Sequence, residues 1–346
     1  MAASPQHRAT PSVGIIGAGL AGLAAARALL AVGVLADVFD KGRGAGGRAS
    51  TRRVDRDAGK ITFDHGAQYF TARDERFVRV VDEWQRSDAC APWSGVVATV
   101  DEPVRITLKP DGPTRFVGTP GMNAIVAAMA RDVPVRFSST VERVRRSGDG
   151  WTIEGSAGEL GTYDGLVVAT PAPQAATLLA DVPSLATRAR SGDMRPCWAV
   201  MAAFEDRLPI HADGLFVNVS KNPLSWSARD SSKPGRPEGE RWVLHAGPAW
   251  SEASIEYERE DVVAALLQAF GDALRVDVPP PTYAAAHRWR YALTQSEIDG
   301  GCMLDAEARI AVAGDWCHGG RVEGAYLSGL AAGERLAGLL DSPNVC

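Results

Sequence analysis

One junction near the start of the chain constrains its fold more than any other feature. Residues 13–16 form a short β-branched run. The loop Gly17-Ala18-Gly19-Leu20-Ala21-Gly22 follows, and residues 20–32 make an Ala- and Leu-rich helix closed by Gly33. Gly17 permits a tight turn, Gly19 lets a ligand approach the backbone, and Gly22 with Ala26 lets helix and strand pack closely. The helix start then offers unpaired N–H groups and a favourable dipole to phosphate. Residues 34–39 read as a second buried strand ending at Asp40 with Lys41 beside it. An acid there accepts hydrogen bonds from ribose hydroxyls and disfavours a 2′-phosphate. This is the βαβ grammar of a Rossmann-type dinucleotide site.

The cluster Arg43-Gly44-Ala45-Gly46-Gly47-Arg48 lies just beyond Asp40. A simple NAD site has no need of it. The longer FAD molecule needs a second close backbone approach and positive charge, so the cluster points to FAD. Near the other end, a strand over residues 309–313 runs into Gly314-Asp315, and a helix follows at about residues 324–340. Asp315 is placed to meet the ribitol or pyrophosphate region. The helix start at Val322-Glu323 is placed to favour negative charge on a reduced flavin. An ordinary closing αβ unit would read similarly.

Between these ends, residues 73–86 form an amphipathic helix with Phe77, Val80, Val81 and Trp84 on one face. Residues 96–116 alternate and turn at Glu102-Pro103 and Asp111-Gly112-Pro113, as antiparallel strands do. From about residue 177 to 286 strands and a helix at 260–270 suggest a separate lobe. Residues 231–240 are polar enough to stay unfolded. The expected organisation is therefore a flexible tail over 1–12 and a discontinuous FAD-binding domain from 13–75, 115–175 and 286–346. The substrate domain takes 76–114 and 176–285.

Composition narrows the function. A formal charge of −5 argues against nucleic-acid binding, which needs a basic face. The five cysteines are scattered with no CxxC, which fits neither a disulfide framework nor a zinc site and suits a reducing, cytoplasmic setting. Residues 13–36 resemble a signal peptide superficially, but Arg27 and the glycine spacing count against it, and no other run is long enough for a membrane. No metal site and no membrane contact are expected, and a monomer is compatible with the sequence. A second GxGxxG, which a reductase using ordinary NAD(P)H would need, is missing, so the electron donor is expected to bind directly at the flavin.

Together the Gly17–Gly22 loop, Asp40, the 43–48 cluster and Gly314-Asp315 resemble the flavin-containing amine oxidase superfamily, with its glutathione-reductase-like FAD domain and inserted α+β substrate lobe. Four further stretches resemble its bacterial renalase-like branch. They are Phe63-Asp64-His65-Gly66-Ala67-Gln68-Tyr69-Phe70-Thr71-Ala72-Arg73, Ala169-Thr170-Pro171-Ala172-Pro173-Gln174, His287-Arg288-Trp289-Arg290-Tyr291 and Gly314-Asp315-Trp316-Cys317. The resemblance implies non-covalent FAD and oxidation of off-pathway dihydronicotinamide isomers, 2- or 6-dihydro-NAD(P), to NAD(P)+ with hydrogen peroxide formed from O2. It implies FAD contacts from Gly17, Gly19, Gly22, Asp40, Arg48, Val141, Asp315, Val322 and Glu323, with Gly66, Ala67 and Gln68 near the flavin ring. Tyr69, His245, Trp289 and Tyr291 form the candidate substrate face; for each, a core role in a sheet is the other reading. Oxidation of a small amine or biosynthetic intermediate is the alternative activity. None of the five lysines sits in a motif that would place one at the flavin, and Gly300-Gly301-Cys302 is too close to Gly314 for the covalent linkage some members use.

Overall fold

A computed structural model describes residues 10–57, 59–102, 105–109 and 112–341. Most of the expected tail (residues 1–9), the turn positions Pro103 and Asp111, and Cys346 lie outside the described residues, while Ser12 already opens the first strand. The chain forms two compact units, one from 1–44, 129–193 and 295–346, the other from 45–128 and 194–294.

In the first unit the βαβ reading holds. The strand Ser12–Ile16, the helix Leu20–Ala31 and the strand Leu35–Phe39 follow in order, with Ile15 in parallel register with Val38 on one side and Val167 on the other. The sheet runs Met303–Asp305, Ile310–Val312, Gly165–Val168, Ser12–Ile16, Leu35–Phe39, Val135–Arg136; only the first strand is antiparallel to its neighbour. An antiparallel sheet of Val141–Ser147, Gly150–Gly155 and Gly158–Tyr163 adds a further layer. It comes so close that a Cβ on Gly14 would strike Ile153 and Tyr163. The helix Leu20–Ala31 packs along the closing helix Val322–Asp341. Small residues allow this. A side chain on Gly329 would collide with the Ala21 carbonyl, and one on Gly333 would lie 2.6 Å from the Ala25 carbonyl. The first unit is a Rossmann-type α/β sheet, and the other unit, a mixed sheet-and-helix lobe, is inserted into its sequence.

The second unit is built on a seven-stranded sheet in the order Tyr283–Leu293, Arg195–Phe204, Glu240–Ala246, Leu224–Arg229, Gly214–Val217, Val97–Asp101, Arg105–Leu108. Its pairings are antiparallel except Gly214–Val217 with Val97–Asp101. One face, carrying Trp198, Val200, Trp242 and Leu244, closes over Leu266 and Phe270 of the helix Arg259–Leu274. On the other face, the hairpin Thr51–Arg56 and Gly59–Asp64 packs Phe63 against Met201, Ala203, Val243 and Tyr283.

The unit boundaries differ from the expected ones. Residues 45–75 and 115–128 join the second unit because the hairpin's apolar side chains are spent on that sheet. Residues 286–294 stay there because Tyr283–Leu293 is one continuous strand paired with Arg195–Phe204. Residues 176–193 go instead to the first unit, where a Cβ on Gly192 would touch Ala172 and Trp316. Residues 231–240 are not unfolded: Lys233 and Arg236 are buried because buried carboxylates receive them.

The helix pairing makes a matched test. Gly329→Ala should lower the unfolding temperature, since overpacking costs about 1–3 kcal/mol. Gly338→Ala, in the same helix with nothing near its Cβ, should raise stability by up to about 1 kcal/mol. Thermal unfolding of both variants checks the opposite signs.

Candidate functional site

In the first unit the candidate cofactor residues collect at the carboxyl ends of adjacent parallel strands, where ligands of such sheets sit. Gly17 has φ +108°, a conformation that favours glycine, and a Cβ there would lie 2.7 Å from the Ala169 carbonyl. A Cβ on Gly22 would collide with the Gly17 carbonyl. Gly19 has nothing within 4 Å of its Cβ position, so the outer side of the loop is open. No side chain caps the helix that begins at Leu20. Its first-turn N–H groups therefore suit phosphate, and the loop fits the pyrophosphate of FAD.

Asp40 is braced as well as placed. Its carboxylate accepts from the N–H of Ala18 (2.7 Å) and of Gly42 (2.6 Å), which orients it and leaves lone pairs for hydroxyl donors. Ser139 N–H donates to the Asp40 carbonyl, which draws the segment leading into half-buried Val141 to this end of the sheet. Lys41 is exposed. On the other side Gly314 N–H donates to the Ser328 hydroxyl of the closing helix, and Trp316 Nε1 donates to the Thr170 carbonyl. Asp315 and Glu323 are buried, and Val322 opens the closing helix just after Gly319 and Gly320, both at positive φ. Cys302 and Cys317 are buried, and burial pushes both thiols up, away from the thiolate needed for bond formation.

In the second unit the pairing registers produce a lateral row. Thr107, Thr99, Phe216, Trp226, His245, Ala199 and His287 lie opposite one another across all seven strands, and so share one face. Trp289 continues the same face along the strand of His287, and Tyr291 lies beyond it where the pairing with Arg195–Phe204 becomes irregular. His65, which leaves the end of the hairpin, lands on this face. Its ring stacks on Trp289 at 5.1 Å and meets His287 edge-on at 4.8 Å. Its carbonyl accepts from Trp289 Nε1 (2.8 Å) and from His245 Nε2 (3.2 Å), which fixes the neutral His245 with its proton on Nε2. Burial holds His65 down to about 3 and His245 to about 4, with the nearby His287 also acting on His65. His287 is lowered by burial and by Arg52 and Arg259. The three imidazoles are neutral at ordinary pH.

Tyr69 lies further along, against Trp226 (5.5 Å) and Trp93 (6.2 Å). His245 and Trp289 are thus brought to one point. Tyr69 stands at another, and Tyr291 lies two residues beyond Trp289. Gly66 cannot carry a side chain, since a Cβ would collide with the Arg48 carbonyl and sit 3.4 Å from Trp289. That carbonyl also accepts from Ala67 N–H, and Arg48 Nη1 donates to the Ala292 carbonyl.

Sequence reasoning missed what lies behind Gln68. Asp64, Asp230, Lys233 and Arg236 form a buried set of two acids and two bases. Asp64 also accepts from the Thr51 hydroxyl (2.7 Å) and Met122 N–H (2.9 Å), while Arg236 donates to it through Nη2. Lys233 Nζ donates to Asp230 (2.9 Å) and to Gln68 Oε1 (3.2 Å), so the Gln68 amide N–H groups turn to the carbonyls of Asp64 and Gly66. Burial raises Asp230. It would raise Asp64 too, but Lys233 and Arg236 outweigh it and hold that carboxyl low. The one cue in the sequence is the recurrence of Asp230, Lys233 and Arg236 at intervals of three. His65 and His287 lay in quoted stretches without being singled out.

Among the described residues no cluster of His, Cys, Asp and Glu is arranged to hold a metal, and no helix is long and apolar enough to cross a membrane.

Residues 81–337 match the family model of flavin containing amine oxidoreductases, and residues 15–84 match that of an NAD(P)-binding Rossmann-like domain. Renalase from Mus musculus is 22% identical over 307 residues, covering 82% of this chain and 85% of that protein. Among solved structures, cyclohexylamine oxidase from Brevibacterium oxydans superposes with a TM-score of 0.70 at 13% identity over 96% of this chain and 100% of the other. Reduced UDP-galactopyranose mutase does so with 0.74 at 14% identity over 96% and 95%. These two likenesses speak to the fold alone. With more than half of its length matched, the chain belongs to the flavin containing amine oxidoreductase family, as a renalase-like member that uses FAD.

Proposed function

We propose that this FAD-dependent oxidoreductase is an oxidase of off-pathway dihydronicotinamide isomers, 2- or 6-dihydro-NAD(P), yielding NAD(P)+ and, with dioxygen, hydrogen peroxide. The observation that carries the reading is the half-buried ring face of His245, His287 and Trp289, whose side chains among the described residues meet rings and the His65 carbonyl. A flat dihydropyridine is matched by flat neutral walls that exclude water. Gly17, Gly19, Gly22, Asp40, Gly314, Asp315, Val322 and Glu323, with the backbone at Val141, are the residues that would hold FAD in the first unit. When bound, FAD supplies the two-electron acceptor.

The face asks for little acid–base work. A dihydropyridine that loses hydride becomes an aromatic pyridinium, so no proton has to leave the reacting carbon or a nitrogen. His245 and His65, at about 4 and about 3, are poor proton acceptors at neutral pH. Their part is to set shape: His245 Nε2 and Trp289 Nε1 converge on one carbonyl and fix each other's rings. An amine substrate would need its proton managed, and the family relationship keeps that class as the alternative outcome of the test below.

Anaerobic stopped-flow mixing should bleach the flavin rapidly with 2- or 6-dihydro-NAD(P) and not with primary or secondary amines. Bleaching by amines alone would reverse the reading.

The rate of flavin reduction should show no ionisation near pH 6.5, the ordinary histidine value. A depressed histidine stays neutral until pH falls to its lowered value. The profile should therefore be flat from about pH 9 to 5 and fall only toward about 4. A pKa of 6–7 in that profile would make one of these imidazoles a proton carrier.

FAD should be bound without a covalent bond and leave the protein on acid precipitation, because Cys302 and Cys317 are buried thiols pushed away from reactivity. Asp40→Ala should weaken FAD binding at least about tenfold, the worth of one charge-assisted hydrogen bond. Equilibrium dialysis reads the second effect, and flavin mass on a cysteine peptide would refute the first.

A further inference from the structure

The lateral row has a second end, and the chemistry above does not use it. There Phe216 and Trp226 meet edge-on at 4.5 Å, and Tyr69 packs on Trp226. Two cations lie on these rings. The Arg115 guanidinium is 5.6 Å from the Tyr69 centroid, and the Lys109 ammonium is 5.1 Å from that of Phe216. Among the described residues neither is paired with a carboxylate. Between them, Trp226 is buried and its indole N–H has no acceptor.

Stacking on a ring steadies an arginine yet leaves its in-plane N–H edge free for a phosphate. Two cations held on neighbouring aromatic rings match one ligand chemistry: an anionic oxygen cluster attached to a flat or sugar-bearing body. The same face leads from this point to His245, the strand neighbour of Trp226, and on to His287 and Trp289.

We propose that Arg115 and Lys109, seated on the Tyr69 and Phe216 rings, form an anion subsite that takes the phosphate groups of a dihydronicotinamide nucleotide and selects nucleotides over uncharged dihydronicotinamides. The inference rests on the substrate reading given above and adds to it the part of the molecule recognised away from the reacting ring. Amines, which are cationic at neutral pH, find repulsion here.

The test uses the FAD-loaded protein and three donors: a dihydronicotinamide dinucleotide, the matching mononucleotide and an N-methyl dihydronicotinamide without phosphate. Flavin reduction is followed anaerobically in the native protein, in Arg115→Gln, in Lys109→Gln and in the double variant. The quantity read is the second-order rate constant for each nucleotide divided by that for the uncharged donor. The ratio should fall about tenfold or more for each cation removed, the loss expected of one charge-assisted contact to phosphate. Added salt should lower the ratio in the native protein and less so in the double variant. The dinucleotide and mononucleotide arms separate a pyrophosphate ligand from a single phosphate. An unchanged ratio, or equal losses on all donors, overturns the subsite while leaving the substrate reading in place. Failure of every dihydronicotinamide to reduce the flavin removes both.

Discussion

The second unit depends on four charges buried where water cannot reach them. Burying one carboxylate or ammonium alone is prohibitive, and such groups persist only when paired and fully hydrogen-bonded. Asp64, Asp230, Lys233 and Arg236 meet the pairing condition jointly, although Asp230 Oδ2 and Arg236 Nε have no hydrogen-bond partner among the described residues: removing any one group leaves another uncompensated. The set also ties together segments far apart in sequence. Asp64 ends the hairpin, Met122 lies just before a helix, Gln68 lies in the loop toward Tyr69, and residues 230–236 join two strands of the sheet. The loop 64–68 is therefore gripped from behind by ion pairs and in front by the ring donors of His245 and Trp289 on the His65 carbonyl.

The first unit relies on the opposite device, the absence of side chains. Gly17 and Gly22 bring loop and helix within backbone distance, and Gly329 with Gly333 brings the closing helix down on the first. Such approaches are governed by hard contact rather than charge. They set where the phosphate-binding loop stands relative to the Gly314-Asp315 turn, since both the first helix and that turn are held to the closing helix. A single methyl group at Gly329 acts on the same contact.

What the sequence made legible follows from range. The loop 17–22, Asp40 and the Gly314-Asp315 turn could be read because each needs only a strand, a turn and a helix in succession. His245 and Trp289 came from a resemblance, and the structure brings them to one carbonyl. The row from Thr99 to His287 was illegible, because it exists only in cross-strand registers among segments that do not announce their partners. Lys233 was hidden for a different reason. Its segment has the composition of a solvated loop, and its burial depends on Asp64, distant in sequence, together with Asp230. The hairpin was assigned to the wrong unit because Val54, Ile61 and Phe63 advertise a core without saying which one.

The ring face of the second unit carries no charged imidazole. Beneath it, two acids are matched by two bases; on it, the imidazoles are neutral by burial. That neutrality bears on the chemistry. As a dihydropyridine gives up hydride its ring turns from neutral to cationic, so walls that carried fixed positive charge would oppose the change. Aromatic faces do the reverse, since the negative face of an indole or phenol attracts a cation. Trp289 beside His65 and His287 is such a wall; Arg52, Arg259 and Lys233 lie near enough to help keep the imidazoles neutral, while Arg115 and Lys109 sit on rings at the other end of the row. On the proposed substrate, such an arrangement along one row would let the same face hold a permanent anion and tolerate a nascent cation, which a small amine, with one charge and one end, would have no means to exploit.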